Sequence, residues 1–201
     1  MKGRLFIVSG PTGVGKTTLV TRFIKEYGDT YNVKRCVTFT TRKPRAEEVD
    51  GKDYYFISQS DFDRKVLDGF FLEWSNQYTY SYGTPKNILN NLEVGVSYIL
   101  IIDRVGARKI IEQTLHISVV TILVVVSSVE ILRKRLFLRN SEKESEYEAR
   151  LKISFNEINQ ENVDKMYQIT LLNDVFEIGF DALNALFKQV FSKLKKNIEK
   201  M

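Results

Sequence analysis

Leu5-Phe6-Ile7-Val8 is a short unbroken apolar run, and from Thr18 to Ile24 the apolar residues Leu19, Val20, Phe23 and Ile24 recur at helical spacing. The run predicts a strand buried on both faces, and the spacing predicts an amphipathic helix behind it. The alternation returns further on. Val96 to Ile102 and Val119 to Val126 are continuous, β-branched runs that predict parallel strands, with a crossover helix between them from Ala107 to Gln113. Ser127, with Glu130 three residues on, predicts a capping box that opens the next helix. Tyr167 to Leu172 predicts a fifth strand and Asp181 to Ile198 an amphipathic terminal helix. Alternating elements of this kind predict an α/β fold, a doubly wound five-stranded parallel sheet with ligands at the carboxyl ends of its strands.

Two segments break the pattern. From about Arg35 to Asn91 the chain carries short aromatic pieces, Tyr54 to Ile57, Phe70 to Trp74 and Tyr78 to Gly83. They predict a small mixed or antiparallel lobe inserted after the second strand. From Leu138 the chain turns polar with alternating charge, bracketed by Arg135, Arg139 and Arg150. A polar segment carrying arginines is what a closing lid over phosphate needs. The expected organisation is one domain: a core of residues 1–34, 92–137 and 151–201, a lobe at about 35–91 and a lid at about 138–150.

Composition narrows the classes. The chain has 201 residues, 43% of them hydrophobic and only three prolines, so it can bury a full core. The net charge is +5, but the charge is scattered and marks no nucleic-acid face. The lysines 193, 195, 196 and 200 fall at a helix end, where the helix dipole favours cations. No apolar run is long enough to span a membrane, and Met1-Lys2-Gly3-Arg4 leaves no room for a signal peptide before the first strand. The one cysteine, Cys36, excludes an intramolecular disulfide. A cytoplasmic protein is expected. His116, the one histidine, reads as structural.

Gly10-Pro11-Thr12-Gly13-Val14-Gly15-Lys16-Thr17 fits G-x-x-x-x-G-K-[ST], between the first strand and the first helix. Its glycines let successive backbone N–H groups turn onto a polyphosphate at the positive end of the helix. Lys16 adds a charge near the β- and γ-phosphates, and the Thr17 hydroxyl can bind Mg²⁺. By itself the loop implies bound polyphosphate and no reaction. Arg42 and Arg45 lie three apart on a turn fixed by Pro44, a pair suited to a second phosphate.

With these motifs in place, the chain resembles the guanylate kinase family. Ser9 to Leu19 matches the family's P-loop, Thr40 to Arg45 its T-T-R-x-P-R, and Glu48 to Phe56 its E-V-x-G-x-D-Y-x-F. Phe71-Leu72-Glu73-Trp74, Tyr82-Gly83-Thr84, and Arg135-Leu136, Arg139 and Arg150-Leu151 continue the match, which runs from about Leu5 to Asn173. The resemblance implies Mg²⁺-dependent transfer of the γ-phosphoryl group of ATP to GMP, by a fold of the P-loop kinase type. It implies ATP contacts from Gly10 through Thr18, Arg139 and Asn173, the last holding adenine. For GMP it implies Arg42, Arg45, Tyr54 and Tyr82 on the phosphate, with Thr38, Glu73, Gly83, Thr84 and Asp103 around guanine. Lys16, Arg42, Arg139 and Arg150 would stabilise the transferring group. A Glu73 carboxylate suits guanine because it accepts from both N1–H and N2–H₂, a pair adenine does not offer.

The match departs in three places. Where the family's third strand ends D-[IV]-D-x-Q-G, this chain reads Ile101-Ile102-Asp103-Arg104-Val105-Gly106, so one acid is replaced by Ile101 and a glutamine by Val105. Asp103 remains, for guanine or for a water on Mg²⁺. Asn140 replaces a glycine after Arg139, and Ala46-Glu47-Glu48 replaces P-G-E. Two alternatives follow: a guanylate kinase-like binding module that has lost catalysis, and a related kinase with another phosphorylated acceptor. The Asp103-Arg104-Val105-Gly106 fit to the D-x-x-G of GTPases is short, and no N-K-x-D follows it.

Overall fold

Leu5–Ser9 forms β1, with all five residues buried as the apolar run requires. The structure is a computed structural model, and it describes residues 2–77, 79–113, 117–138 and 165–198. After β1 come α1 (Lys16–Tyr31), β2 (Val33–Arg35), β3 (Thr38–Thr40), β4 (Tyr54–Phe56) and α2 (Gln59–Leu67). Then follow β5 (Phe71–Gln77), β6 (Tyr80–Pro85), α3 (Ile88–Glu93), β7 (Ser97–Ile101) and α4 (Arg104–Gln113). The described chain closes with β8 (Val119–Val125), α5 (Val129–Leu138), β9 (Ile169–Leu172) and α6 (Phe176–Ile198).

The main sheet is parallel, with five strands in the order β2-β7-β1-β8-β9. The order reverses at β1, so the loop that leaves it at Gly10 opens at the topological switch point, where ligands bind in such sheets. No helix among the described residues is long and apolar enough to cross a membrane. Two compact units are distinguished: Met1–Ile7 with Lys34–Val120, and Val8–Val33 with Thr121–Met201.

The first unit holds the lobe, a four-stranded sheet ordered β4-β3-β6-β5. It is mixed. β3 pairs antiparallel with β6 but parallel with β4, Thr38 opposite Tyr54 and Thr40 opposite Phe56. Residues 41–53 give the chain the long return that a parallel pair needs. Asp50 and Asp53 hold that return in place: Asp50 accepts from the Phe56 N–H at 2.9 Å, and Asp53 from the Val49 N–H at 2.9 Å. The sequence pattern does not disclose α2. Ser58 caps it by accepting from the Asp61 N–H at 3.1 Å, and the buried Phe62 stacks on Phe71 at 4.7 Å. α4 starts at Arg104, three residues ahead of the expected Ala107, because Asp103 caps it.

In the second unit α1 and α6 meet through aromatic rings. Phe23 lies 4.2 Å from Phe187 and Tyr31 4.9 Å from Phe191. α6 begins at Phe176 rather than at Asp181, and its extra turn places Phe180 under the Arg22 guanidinium at 4.0 Å. Arg22 also pairs with Glu177 at 2.7 Å. The capping box expected at Ser127 is not formed. The Asp174 carboxylate takes the Ser127 N–H at 2.7 Å, and Ser128 caps α5 instead, accepting from the Ile131 N–H at 3.3 Å.

Candidate functional site

The sequence-predicted residues fall into two groups, one in each unit. In the second unit the loop from Gly10 to Gly15 joins β1 to α1. Gly10, Gly13 and Gly15 all have positive φ, at 134°, 91° and 94°. Each also faces a wall. A β-carbon on Gly10 would strike the Val124 carbonyl, one on Gly13 would lie 2.9 Å from the Leu136 side chain, and one on Gly15 2.6 Å from Asn173. Pro11 and Val14 are buried, Thr12 and Thr17 are half-buried, and Thr18 is exposed on α1. The Lys16 ammonium donates to the Gly10 and Pro11 carbonyls at 2.5 and 2.8 Å, which holds a positive charge inside the loop.

Asn173, at the end of β9, has a structural task that its sequence position does not reveal. It is 1% exposed, and its Nδ2 donates to the Val14 carbonyl at 2.7 Å. Arg135 donates to the same carbonyl at 3.3 Å and to the Asp174 carbonyl at 2.8 Å. The expected adenine ligand thus braces the phosphate loop from beneath. Its Oδ1 is buried without a hydrogen bond, close against Gly179. Arg139 and Arg150, with the expected lid, lie outside the described residues, as does His116.

The first unit gathers the remaining candidates. Arg42 follows β3, and Arg45 lies on the turn beyond it. Between them stands Glu48, which sequence reasoning treated only as part of a motif. Its Oε1 lies 2.8 Å from Arg42 Nη2 and 3.8 Å from Arg45 Nη1, and its Oε2 accepts from the Arg45 N–H at 2.8 Å. Burial works against charge on both Arg42 and Glu48. Burial is the largest single influence on each, but their mutual bond together with Arg45 on Glu48 and Tyr82 on Arg42 outweighs it, so the Glu48 pKa is lowered and that of Arg42 raised. Arg42 also lies 5.5 Å from the Tyr54 ring centre, and Tyr54 meets Tyr82 edge-on at 6.2 Å. Burial pushes the Tyr54 hydroxyl up, which keeps it a neutral donor. Two cations from the turn after β3 and two phenols from β4 and β6, the strands on either side of β3, are groups that could hold one phosphate.

Glu73 stands across from Thr84 on the β5–β6 pair, next to a bulge between Phe71 and Glu73. It is 4% exposed, and the Thr84 hydroxyl donates to its Oε1 at 2.5 Å. Burial pushes its pKa up to about 7; the Thr84 bond opposes the rise, Asp103 adds to it and Lys109 opposes it. Asp103 accepts from the Ser75 hydroxyl at 2.6 Å and from the Gly106 N–H at 2.7 Å. Thr38 is buried on β3, and Gly83 is a glycine because Phe71 lies 2.7 Å from where its β-carbon would be. Cys36 is buried, and desolvation together with the Glu73 charge pushes its thiol up to about 12, too high for a nucleophile.

Among the described residues no cluster of three or more His, Cys, Asp or Glu side chains could hold a metal ion. Mg²⁺ carried on phosphates needs only one or two protein oxygens and keeps its waters. The Thr17 hydroxyl is such an oxygen.

Residues 2–190 match the family model for guanylate kinase. The guanylate kinase of Caldanaerobacter subterraneus subsp. tengcongensis is 38% identical over 92% of this chain and 86% of its own length. That of Clostridioides difficile is 42% identical over 97% of this chain and 92% of its own. The crystal structure of guanylate kinase from Anaplasma phagocytophilum superposes with a TM-score of 0.75 at 28% identity, covering 94% of this chain and 86% of that one.

Proposed function

The chain belongs to the guanylate kinase family, and we propose that it transfers the γ-phosphoryl group of ATP to GMP, giving ADP and GDP. The observation that carries the choice of acceptor is Glu73, a buried carboxylate fastened by Thr84 in the unit that also holds the Arg42–Glu48–Arg45 turn. An anion at 4% exposure is costly unless something binds to it. Guanine N1–H and N2–H₂ offer that partner, and adenine would leave it unpaired.

In this reading the P-loop holds the triphosphate of ATP. Its backbone N–H groups and Lys16 neutralise phosphate charge, and Asn173 and Arg135 keep the loop in shape from Val14. Arg42, Arg45, Tyr54 and Tyr82 hold the phosphate of GMP and spread the charge that develops on it, while Thr38 and Asp103 line the base. Phosphoryl transfer asks for position and charge neutralisation more than for a base, so no dedicated proton acceptor is required. Mg²⁺, bound through phosphate oxygens and Thr17, would supply further charge neutralisation. Arg139 and Arg150 complete the cationic set in a lid of about residues 138–150, and the protein works in the cytoplasm.

A steady-state screen of GMP, AMP, CMP and UMP with Mg-ATP, following ADP release, tests this. Turnover with GMP far above the others is expected, and Lys16→Ala should abolish it. No GMP-dependent turnover above Lys16→Ala would leave a binding module as the reading.

A further inference from the structure

α4 carries a glycine in its opening turn, where alanine would favour the helix. No unusual backbone angle asks for it, since Gly106 is absent from the positive-φ positions. Space asks for it. A β-carbon on Gly106 would stand 2.6 Å from Glu73 Oε2, 3.1 Å from Glu73 Cδ and 3.5 Å from Asp103 Oδ1. The N–H of the same residue donates to Asp103 Oδ1 at 2.7 Å. Gly106 therefore meets both carboxylates, one through its missing side chain and the other through its backbone. On its far side Glu73 is fixed by Thr84 at 2.5 Å. Between that hydroxyl and the bare α-carbon the carboxylate has one seat.

We infer that Gly106 is a specificity-determining residue: its missing β-carbon forms the notch that seats Glu73 for the guanine edge, a role that rests on the GMP reading above. A methyl group here would be backed by helix backbone and could not yield. The Glu73 side chain would have to turn away and give up Thr84. Guanine would then find its paired acceptor displaced, and adenine, which never used it, would lose nothing. The effect should fall on acceptor choice and leave ATP untouched.

Gly106→Ala in the full chain tests this. KM for GMP should rise about 10-fold or more, as expected when a buried polar pair is broken, and the GMP-over-AMP preference should fall by the same factor. KM for ATP should stay within about twofold, because the P-loop half-site is unchanged. The melting temperature should fall, since the broken Glu73–Thr84 bond outweighs the gain from a better helix former. In a Glu73→Gln background the same substitution should cost much less, because the two act through one contact. A preserved GMP preference, or full additivity with Glu73→Gln, overturns the notch. If Gly106→Ala alone folds poorly, adding Glu73→Asp, whose shorter side chain withdraws from the methyl, should restore folding; failure to do so also overturns it. A wild-type enzyme that does not prefer GMP over AMP would instead overturn the acceptor reading.

Discussion

The carboxylate of Glu48 lies 2.8 Å from the guanidinium of Arg42, so a cation suited to gripping phosphate is already held by an anion of its own chain. The pair is largely buried, with side chains 10% and 16% exposed, and the same carboxylate secures the Arg45 backbone. Glu48 thereby fixes the direction of one fork and the turn that carries the other.

Glu48→Ala should raise KM for GMP roughly 10-fold, because a misaimed fork costs much of its binding, while KM for ATP stays put. Steady-state kinetics with each nucleotide varied in turn checks this. An unchanged KM for GMP would leave Glu48 with folding as its only role.

On the proposed reading, Glu73 should make GMP use depend on pH. Its folded pKa of about 7 lies above the ordinary 4.5, set by burial against Thr84, with Asp103, Lys109 and Cys36 as the other titratable neighbours. Guanine needs the ionised form, so KM for GMP should fall as pH rises through about 7 and level off above it. Glu73→Gln should flatten that limb. Stability runs the opposite way. The native state binds this proton more tightly than the unfolded chain does, so the contribution is complete below 4.5 and lost as pH rises through about 7. Urea unfolding of wild type and Glu73→Gln on both sides of that pH should show the gap between them change.

Asn173 is 1% exposed, and its donor is committed to Val14. Asn173→Asp puts a charge there with no donor to offer the carbonyl, and thermal unfolding should show a loss of about 3 kcal/mol or more. Asn173→Ala should be milder, raising KM for ATP several-fold without moving that for GMP. Equal effects on both nucleotides would remove the bracing role.

Ile101 ends β7, half-exposed, where the family usually carries an acid. Ile101→Asp should lower the Mg²⁺ concentration needed for half-maximal rate by about 10-fold, the lower end of what an outer-shell ligand contributes. A Mg²⁺ titration of both proteins decides it.

Much of this was legible where chemistry depends on neighbours in sequence. The P-loop could be read from spacing because its glycines and Lys16 act on one phosphate chain, and β7 and β8 from apolar runs that only a buried sheet tolerates. α2 escaped because Phe62 is its one buried residue, too few for a periodic signal. Two adjacent serines could not be ranked as caps without Asp174, far along the chain, taking the Ser127 N–H. Glu48 and Gly106 escaped for a related reason: a carboxylate three residues after an arginine looks like surface charge, and a helical glycine acquires meaning only beside Glu73.

Trp74 follows Glu73 on β5, 38% exposed, with the Lys109 ammonium 4.9 Å from its ring centre and bonded to its carbonyl at 2.5 Å. It is the one tryptophan of the chain, whereas Tyr27 and Tyr31 belong to the α1–α6 stack of the other unit. Indole emission excited at the red edge therefore comes from the acceptor half alone. The protein carries its own optical gauge of that half, requiring no label.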